Sequence, residues 1–569
     1  MKKQLFVFSI PIIAWIAALL WAGGGKQQRA IRPQAPRRPN IILIMADDMG
    51  FSDLGCYGGE IHTPNIDYLA RNGIRYTQFY NTSRCCPTRA SLLTGLYNHQ
   101  AGIGKMSDAE NQPGYQGHLT PNTVTLAEVL KSAGYQTAMS GKWHVSNTLV
   151  QKSPQDQLAW LNHQKDFGDF SPIDQYPTKR GFDKYFGNIW GVVDFFDPFS
   201  LVSGTKPIKQ VPPNYYHTDA INDTAVAYIQ SFAKTSAPFF IYVAHTAPHW
   251  PLMALPEDIA NYKDTYKKGW DAVRLARYQK LVKMGLIDLV KTTLSTRYQD
   301  DLSWENNPDK VWDAQAMAVH AAMIDRMDQG IGRILKTLRE TGQLDNTLIF
   351  VLSDNGASSE NCAAYGPGFD RPNQTRDGRP IAYDLKKQVM PGPQTVYASI
   401  GPRWANVANT PYQYWKAESY EGGVHTPLIA FWPAGIKTRK GSYCAQVGHV
   451  MDFMPTFVDV AGATYPRIYK GHTITPSTGI SLMASFQGVA SVGHKTLFNE
   501  HFGARYVRSD DWKLVSTLRD SSWHLFNLAT DRTETQDLAA QHPDEVRRLD
   551  KLWQQWANSH QVFPKPKRQ

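Results

Sequence analysis

The sequence predicts an α/β protein, in which a large, mostly parallel mixed sheet lies between layers of helices and a smaller α+β domain follows at the C-terminus. Short, continuous apolar runs recur along the chain with helical patterns between them, which is typical of strands buried on both faces. After about residue 465 the apolar runs become shorter and one amphipathic helix follows them. The 569 residues suffice for one large and one small domain, and 42% hydrophobic with 19% charged residues is a globular balance.

The N-terminal residues precede the predicted sheet. Residues 1–25 contain two early lysines, an apolar run from Leu5 to Ala22 and a small-residue end, the pattern of an export signal. We expect a cleaved signal in a periplasmic or secreted protein, with an uncleaved N-terminal anchor as the alternative. If the segment stays uncleaved, membrane contact is expected through it alone. Residues 26–39 are rich in Pro, Arg and Gln without periodicity, which predicts a linker.

The basic charge of the chain lies at its two ends. The net charge is +10, and residues 1–39 hold seven Lys/Arg without an acid while residues 564–569 hold three more, so the body has no net charge. A surface that binds nucleic acid concentrates its cations on the folded domain. We therefore expect no nucleic-acid partner.

The large domain is predicted to span residues 40–465. Its strands are expected in the apolar runs at 41–45, 137–139, 239–243, 348–352 and 427–431. Pro64 begins and Gly73 ends a predicted helix. Thr125 and Glu128 form a capping box that begins another helix. A further helical pattern covers residues 281–290.

Residues 466–569 are predicted to form the small C-terminal domain. Its expected strands lie at 506–507, 512–515 and 523–526. A helix after Pro543 places apolar side chains on one stripe, namely Val546, Leu549, Trp553 and Trp556.

Acidic side chains follow two of the predicted strands. Asp47 and Asp48 come directly after the first strand, and Asp354 with Asn355 follows the strand at 348–352. Ligands of open α/β sheets bind beyond the carboxyl ends of the strands, and such oxygen donors suit Ca²⁺ or Mg²⁺. Either cluster alone is equally well explained as a turn or a helix cap. The two together predict a metal site.

A second candidate group lies on a predicted helix within residues 85–95. Pro87 stands where this helix begins and Gly95 where it ends, so Cys85 lies at the N-terminus, where an anion is favoured. Arg89 is one turn further on, able to face the same point. A buried structural thiol is the alternative, but it leaves Arg89 unexplained. Five cysteines are too few for a disulfide framework in an exported chain of this length.

Basic side chains follow other predicted strands. Lys142 and His144 come just after 137–139, His249 follows 239–243, and Lys416 precedes the last strand. Each residue alone is more often a surface lysine or a buried structural histidine. Their common position beyond strand ends makes them candidates for catalysis.

The stretch Cys85–Gly95 resembles the signature of the sulfatase family, Cys-x-Pro-Ser/Thr-Arg followed by Leu-Thr-Gly. The resemblance extends from about Asn40 to the final helix and is nearest to bacterial arylsulfatases, as the APHWPL and HTPNID stretches show. It implies the alkaline-phosphatase-like fold, a catalytic domain at 40–465, and hydrolysis of small-molecule aryl sulfates. It also implies that a formylglycine-generating enzyme converts Cys85 to formylglycine (3-oxoalanine). Cys86 holds the variable position, so the two cysteines need not form a disulfide.

The resemblance also implies roles for the candidate residues. The implied metal ligands are Asp47, Asp48, Asp354, Asn355 and the modified Cys85. The residues implied to surround the nucleophile are Arg89, Lys142 and His144, and those facing the sulfate and the leaving oxygen are His249 and Lys416. Ca²⁺ is the expected ion, with Mg²⁺ as the alternative. Attack of a formylglycine hydroxyl on sulfur releases the alcohol, and a base, His144, then allows sulfate to be expelled without a second attack on sulfur.

Three features depart from the family pattern or lie outside it. Thr88 replaces the commoner serine, and His425 stands where many relatives carry arginine, so its role is open. Residues 255–311 are expected to form an insertion near the cleft, with simple packing on the surface as the alternative. Two other functions stay open: a phosphomonoester or phosphonate monoester hydrolase, and a non-catalytic protein that binds sulfated glycans.

Overall fold

The computed structural model of the protein describes residues 38–165, 168–296 and 302–563. The predicted export segment, residues 1–25, and the predicted linker up to residue 37 lie outside this part of the chain. None of the helices in these three ranges combines the length and apolar character that crossing a bilayer requires.

The strands and helices are numbered in chain order. The strands are β1 (Asn40–Ala46), β2 (Ile74–Tyr76), β3 (Phe79–Tyr80), β4 (Gln136–Gly141), β5 (Lys184–Asn188), β6 (Leu201–Ser203), β7 (Lys206–Pro207), β8 (Phe239–Ala244), β9 (Thr347–Ser353), β10 (Leu428–Phe431), β11 (Ser442–Cys444), β12 (Gly448–His449), β13 (Ile468–Tyr469), β14 (His472–Thr473), β15 (Thr496–His501), β16 (Ala504–Ser509), β17 (Trp512–Ser516) and β18 (His524–Asn527). The helices are α1 (Pro64–Asn72), α2 (Cys85–Thr94), α3 (Leu126–Ser132), α4 (Pro154–Leu161), α5 (His217–Phe232), α6 (Pro256–Ala260), α7 (Gly269–Lys283), α8 (Lys310–Glu340), α9 (Cys362–Tyr365), α10 (Gly401–Ala408), α11 (Glu421–Val424), α12 (Phe453–Ala461), α13 (Met483–Phe486) and α14 (Pro543–Ser559).

The large sheet has ten strands in the order β11-β2-β10-β9-β1-β8-β4-β5-β6-β7. Its centre is parallel, since β9, β1, β8, β4 and β5 run in one direction. The neighbours β10 and β6 run antiparallel to it. All five predicted strands correspond to strands of this sheet, namely β1, β4, β8, β9 and β10, so the predicted mixed, mostly parallel sheet is confirmed.

Helices cover both faces of this sheet. Ile42 and Ile44 of β1 belong to one apolar cluster, which also contains residues of α1, α5 and α8. Ile41, Leu43 and Met45 belong to a second cluster with residues of α2, α3 and α12. Alternate residues of a strand point to opposite faces, so β1 is buried on both sides, as its continuous apolar composition predicts.

The C-terminal strands β15, β16, β17 and β18 form a separate antiparallel sheet. Helix α14 packs against it and buries Leu549, Trp553 and Trp556, while Val546 is partly buried. The predicted small α+β domain is therefore confirmed. All four strands and α14 contribute to one apolar cluster.

The local helix signals are confirmed at two sites and wrong at a third. Helix α1 begins at Pro64 and stops before Gly73, and Thr125 and Glu128 form the predicted capping box of α3. The helical prediction for 281–290 is wrong because α7 ends at Lys283. Gly285 has a φ of +67°, a left-handed conformation that cannot continue an α-helix.

Candidate active site

The candidate residues gather where the parallel strands end. Asp47 directly follows β1, Asp354 directly follows β9, and Lys142 directly follows β4. Register places Ala46 beside Ser353, and both Met45 and Gly141 beside Ala244 of β8. These strands therefore end at one level, and their following residues share one edge of the sheet.

Helix α2 carries Cys85 to the same edge. The helix begins at Cys85 and is closed by Gly95 with a φ of +72°, as the sequence predicts. Arg89, fully buried one turn into the helix, donates from Nη2 to Asp354 Oδ2 at 2.8 Å and from Nη1 to the Lys142 carbonyl at 3.1 Å. The guanidinium thus ties α2 to two strand ends.

Two side-chain oxygen atoms at this edge of the sheet are free to act as metal ligands. Asp47 Oδ1 and Asn355 Oδ1 are buried and have no hydrogen-bond partner. Asn355 Nδ2 donates to Asp48 Oδ1 at 2.7 Å, and the Asp48 amide donates to Asp354 Oδ1 at 3.2 Å. Buried polar atoms without a partner are costly. These residues therefore fit a hard divalent cation, which prefers carboxylate and amide oxygens.

Charge balance also favours a cation at this point. Lys142 Nζ lies 2.5 Å from Asp47 Oδ2. Burial raises the pKa of Asp47, but Lys142 and His249 outweigh burial and lower this pKa to about 2. Burial and the neighbouring Asp47 carboxylate raise the pKa of Asp354 well above its usual value. A divalent ion would relieve this repulsion between carboxylates.

His249 and Lys416 form a polar group with Asp48. Lys416 Nζ lies 2.9 Å from Asp48 Oδ2 and 3.1 Å from His249 Nε2. Burial and the adjacent Lys416 lower the pKa of His249. Burial disfavours the charged form of Lys416, but Asp48 and Glu360 outweigh burial and raise the lysine pKa above its usual value. At neutral pH the lysine is therefore the charged member of the pair.

His144 is held in an unusual backbone conformation beside the two cysteines. Its φ is +56°, and its Nε2 lies 3.2 Å from Cys86 Sγ. Gly191 packs directly against the ring, since a Cβ at this position would lie 2.4 Å from His144 Cε1. Burial lowers the pKa of His144 to about 4, so the imidazole is neutral at pH 7 and able to accept a proton.

A pocket of about 290 Å³ opens onto these groups. Cys85, His144, His249 and Lys416 contribute to its wall. Four aromatic side chains also line the pocket, namely Trp190, Trp250, Tyr365 and Phe369. The pocket thus combines polar and charged lining residues with aromatic ones, which suits an anionic group attached to a flat or apolar body.

The sequence reading missed Glu360 and Arg84, which line the same pocket. Glu360 Oε1 accepts from Arg84 Nη2 at 3.0 Å, and Glu360 Oε2 lies 3.3 Å from Lys416 Nζ. Trp250 Nε1 also donates to Glu360 Oε2 at 3.0 Å. Burial raises the pKa of Glu360, but Arg84 and Lys416 lower it well below its usual value. The only sequence signal is that Glu360 lies in the loop after β9.

Two further residue groups lie apart from the pocket. His425, whose role the sequence leaves open, is buried and stacks on Tyr80 with ring centroids 5.5 Å apart. Among the described residues of the segment 255–311, none lines this pocket, and an insertion near the cleft stays a prediction. Arg277 of this segment instead pairs with Asp53 at 2.7 Å and with Glu60 at 2.7 Å. The segment packs against the large domain.

Comparison with known families and structures accords with this fold. The family model described as "Sulfatase" matches residues 39–463. A second model, "N-sulphoglucosamine sulphohydrolase, C-terminal", matches residues 412–560. The chain belongs to the sulfatase family, whose members hydrolyse sulfate esters and generally use formylglycine and a divalent metal ion.

Individual relatives cover most of the chain. An uncharacterized sulfatase of Schizosaccharomyces pombe is 32% identical, over 91% of this chain and 93% of its own length. The arylsulfatase of Klebsiella aerogenes is 34% identical, over 79% of this chain and 92% of its own. The crystal structure of Ps i-CgsB in complex with k-i-k-neocarrahexaose matches with a TM-score of 0.62 at 23% identity, over 93% of this chain and 94% of that one. This last similarity shows the shared fold.

Proposed function

We propose that the protein is an exported arylsulfatase, which hydrolyses aryl sulfate monoesters to a phenol and inorganic sulfate. The observation that carries this proposal is the position of Cys85 at the start of α2, on the wall of a pocket that also contains His144, His249 and Lys416. These groups supply a nucleophile position, a base and a proton donor on one surface. The export rests on the sequence of residues 1–25.

The chemistry of the nucleophile depends on two groups added to the chain. Formylglycine, formed from Cys85 by a maturation enzyme, supplies a hydrated aldehyde as nucleophile, and a divalent ion supplies Lewis-acid activation. Asp47, Asp48, Asp354 and Asn355 would hold this ion together with residue 85. Ca²⁺ is proposed, and Mg²⁺ is the alternative.

The protein's own side chains divide the remaining work. Arg89 and Lys142 hold the carboxylates of Asp354 and Asp47 in place and keep positive charge beside the reacting group. His144 is neutral at pH 7 and accepts a proton from the nucleophile as sulfate leaves. Lys416 and His249 are hydrogen-bonded to each other and would donate a proton to the leaving oxygen.

The pocket and one relative together favour an aryl leaving group. Trp190, Trp250, Tyr365 and Phe369 offer aromatic faces on which a phenyl ring can pack. The arylsulfatase of Klebsiella aerogenes is 34% identical over most of this chain. A phenol is also a better leaving group than an alkyl alcohol, so it needs less help from the proton donors.

Mass spectrometry and matched kinetics test the proposal. The tryptic peptide that contains Cys85 should carry formylglycine in active preparations. kcat/KM should be higher for an aryl sulfate than for the aryl phosphate with the same phenol. The Cys85→Ser variant should release at most one equivalent of phenol per chain and then stop, whereas Cys444→Ser, on the edge strand β11, should keep full turnover. A fully active enzyme with only free thiol at residue 85, or a large preference for phosphate, would overturn the proposal.

A further inference from the structure

Two adjacent cysteines and one histidine form a compact group at the start of α2. The Sγ atoms of Cys85 and Cys86 and a ring nitrogen of His144 all lie within 4.8 Å of one another, and all three residues are buried. Cys86 Sγ is 3.2 Å from His144 Nε2. The proposed catalytic scheme uses Cys85 only after its sulfur has been removed, and it gives Cys86 no role.

This donor set differs in kind from the carboxylates beside it. Thiolate sulfur and imidazole nitrogen are the preferred ligands of Zn²⁺, with Zn–S near 2.3 Å and Zn–N near 2.0 Å. Ligand atoms on a tetrahedral ion of this size lie about 3.3 to 3.8 Å apart, which small side-chain adjustments reach from the observed spacing. Asp47, Asp48 and Asp354 instead provide the oxygen ligands of a hard ion. Two chemically distinct groups of candidate ligands therefore lie side by side.

We propose that the chain, before Cys85 is converted, binds Zn²⁺ or a similar soft divalent ion through Cys85, Cys86 and His144. The thiol protons leave for solvent as the two sulfurs coordinate, and water completes the coordination from the pocket, whose wall includes Cys85 and His144. Conversion of Cys85 removes one of the two sulfur ligands and so weakens the site. Metal binding and maturation therefore compete for the same sulfur atom.

A Co²⁺ titration of the unconverted full chain tests this inference. The protein is expressed without the maturation enzyme, Cys85 is verified as a free thiol by mass spectrometry, and bound metal is removed. One equivalent of Co²⁺ should produce a near-ultraviolet thiolate-to-cobalt charge-transfer band together with the visible bands of tetrahedral Co²⁺, and Zn²⁺ should displace it. Cys86→Ser should halve the charge-transfer band and weaken Zn²⁺ binding at least about a hundredfold, because one of three protein ligands is lost. Cys444→Ser is the matched control and should leave both unchanged.

Two other preparations separate the possible outcomes. Asp48→Asn removes one negative charge from the carboxylate site and leaves the sulfur ligands in place, so it should leave the charge-transfer band intact. Protein carrying formylglycine at residue 85 should show a reduced band without any substitution, which covers the case that Cys86→Ser does not fold. A cobalt spectrum without a thiolate band, or one that Cys86→Ser does not alter, would overturn the inference. A thiolate band in a protein that is never converted would leave the inference standing while the proposed arylsulfatase function fails.

Discussion

Glu360 places a negative charge on the wall of the pocket, and Glu360→Gln should tighten the binding of sulfate. The carboxylate lies 3.3 Å from Lys416 Nζ, and we propose that Lys416 faces the sulfate group. An anion that accepts a hydrogen bond of about 2.8 Å from this ammonium lies within about 6 Å of the carboxylate. The substitution removes this like charge, while the amide oxygen can still accept from Arg84 or Trp250.

The size of the effect follows from Coulomb's law. At about 6 Å in a water-like medium, two unit charges repel by about 0.7 kcal/mol. The singly charged sulfate ester should therefore bind about threefold more tightly to the Glu360→Gln variant. The doubly charged inorganic sulfate should bind about tenfold more tightly, because its repulsion is twice as large.

Inhibition kinetics measure both effects in one experiment. We compare wild type and Glu360→Gln in their KM for an aryl sulfate and in their inhibition constant for inorganic sulfate. The measurements are made at low ionic strength and again in high salt, where screening should shrink the difference between the two proteins. Ser358→Ala is the control, because Ser358 Oγ donates to Glu360 Oε2 at 3.1 Å and its loss changes no charge. If sulfate inhibits a fully matured Glu360→Gln variant no more strongly than wild type, Glu360 does not act electrostatically on the anion site.

Two further predictions concern the metal and the base. Chelation by EDTA should abolish turnover and lower the melting temperature, because three buried carboxylates then lose their cation. An ion at a hundred times its dissociation constant contributes about 2.7 kcal/mol to stability, and adding Ca²⁺ should restore both properties. Undiminished activity in verified metal-free protein would contradict the proposed metal site. Gly191→Ala should lower kcat at least about tenfold, since its Cβ would lie 2.4 Å from His144 Cε1 and 2.5 Å from Nε2 and so displace the base. The control Gly168→Ala has no atom within 4 Å of the added Cβ and should leave kcat close to wild type. Equal kcat values in the two variants would show that the ring position does not matter.

The central part of the fold could be predicted because its signals are local. A strand buried on both faces needs a continuous apolar run, as in β1, β8 and β9. The candidate site could be predicted for a related reason: Asp47, Lys142 and Asp354 each directly follow a parallel strand, so their positions along the chain imply their positions in space. Helix α2 adds Cys85 and Arg89 through its own begin and end signals.

What could not be predicted depends on contacts between distant parts of the chain. Residues 255–311 show mixed charge and helical patterns, which do not reveal the residues that this segment packs against. Arg277 is fully buried because it pairs with Asp53 and Glu60, more than 200 positions away. Similarly, no local pattern indicates that His425 stacks on Tyr80.

Glu360 shows why such contacts matter for function. Its position in the loop after β9 resembles that of many surface acids. Its role in the pocket arises only because the fold brings Arg84, just before α2, and Lys416, before α11, within ion-pair distance of its carboxylate. A partly buried carboxylate between two cations holds them in place but also cancels part of their attraction for an anion. The pocket therefore has to draw sulfate by the excess of cations over acids. This balance can be calculated only from the assembled structure, and product release is expected to depend on it.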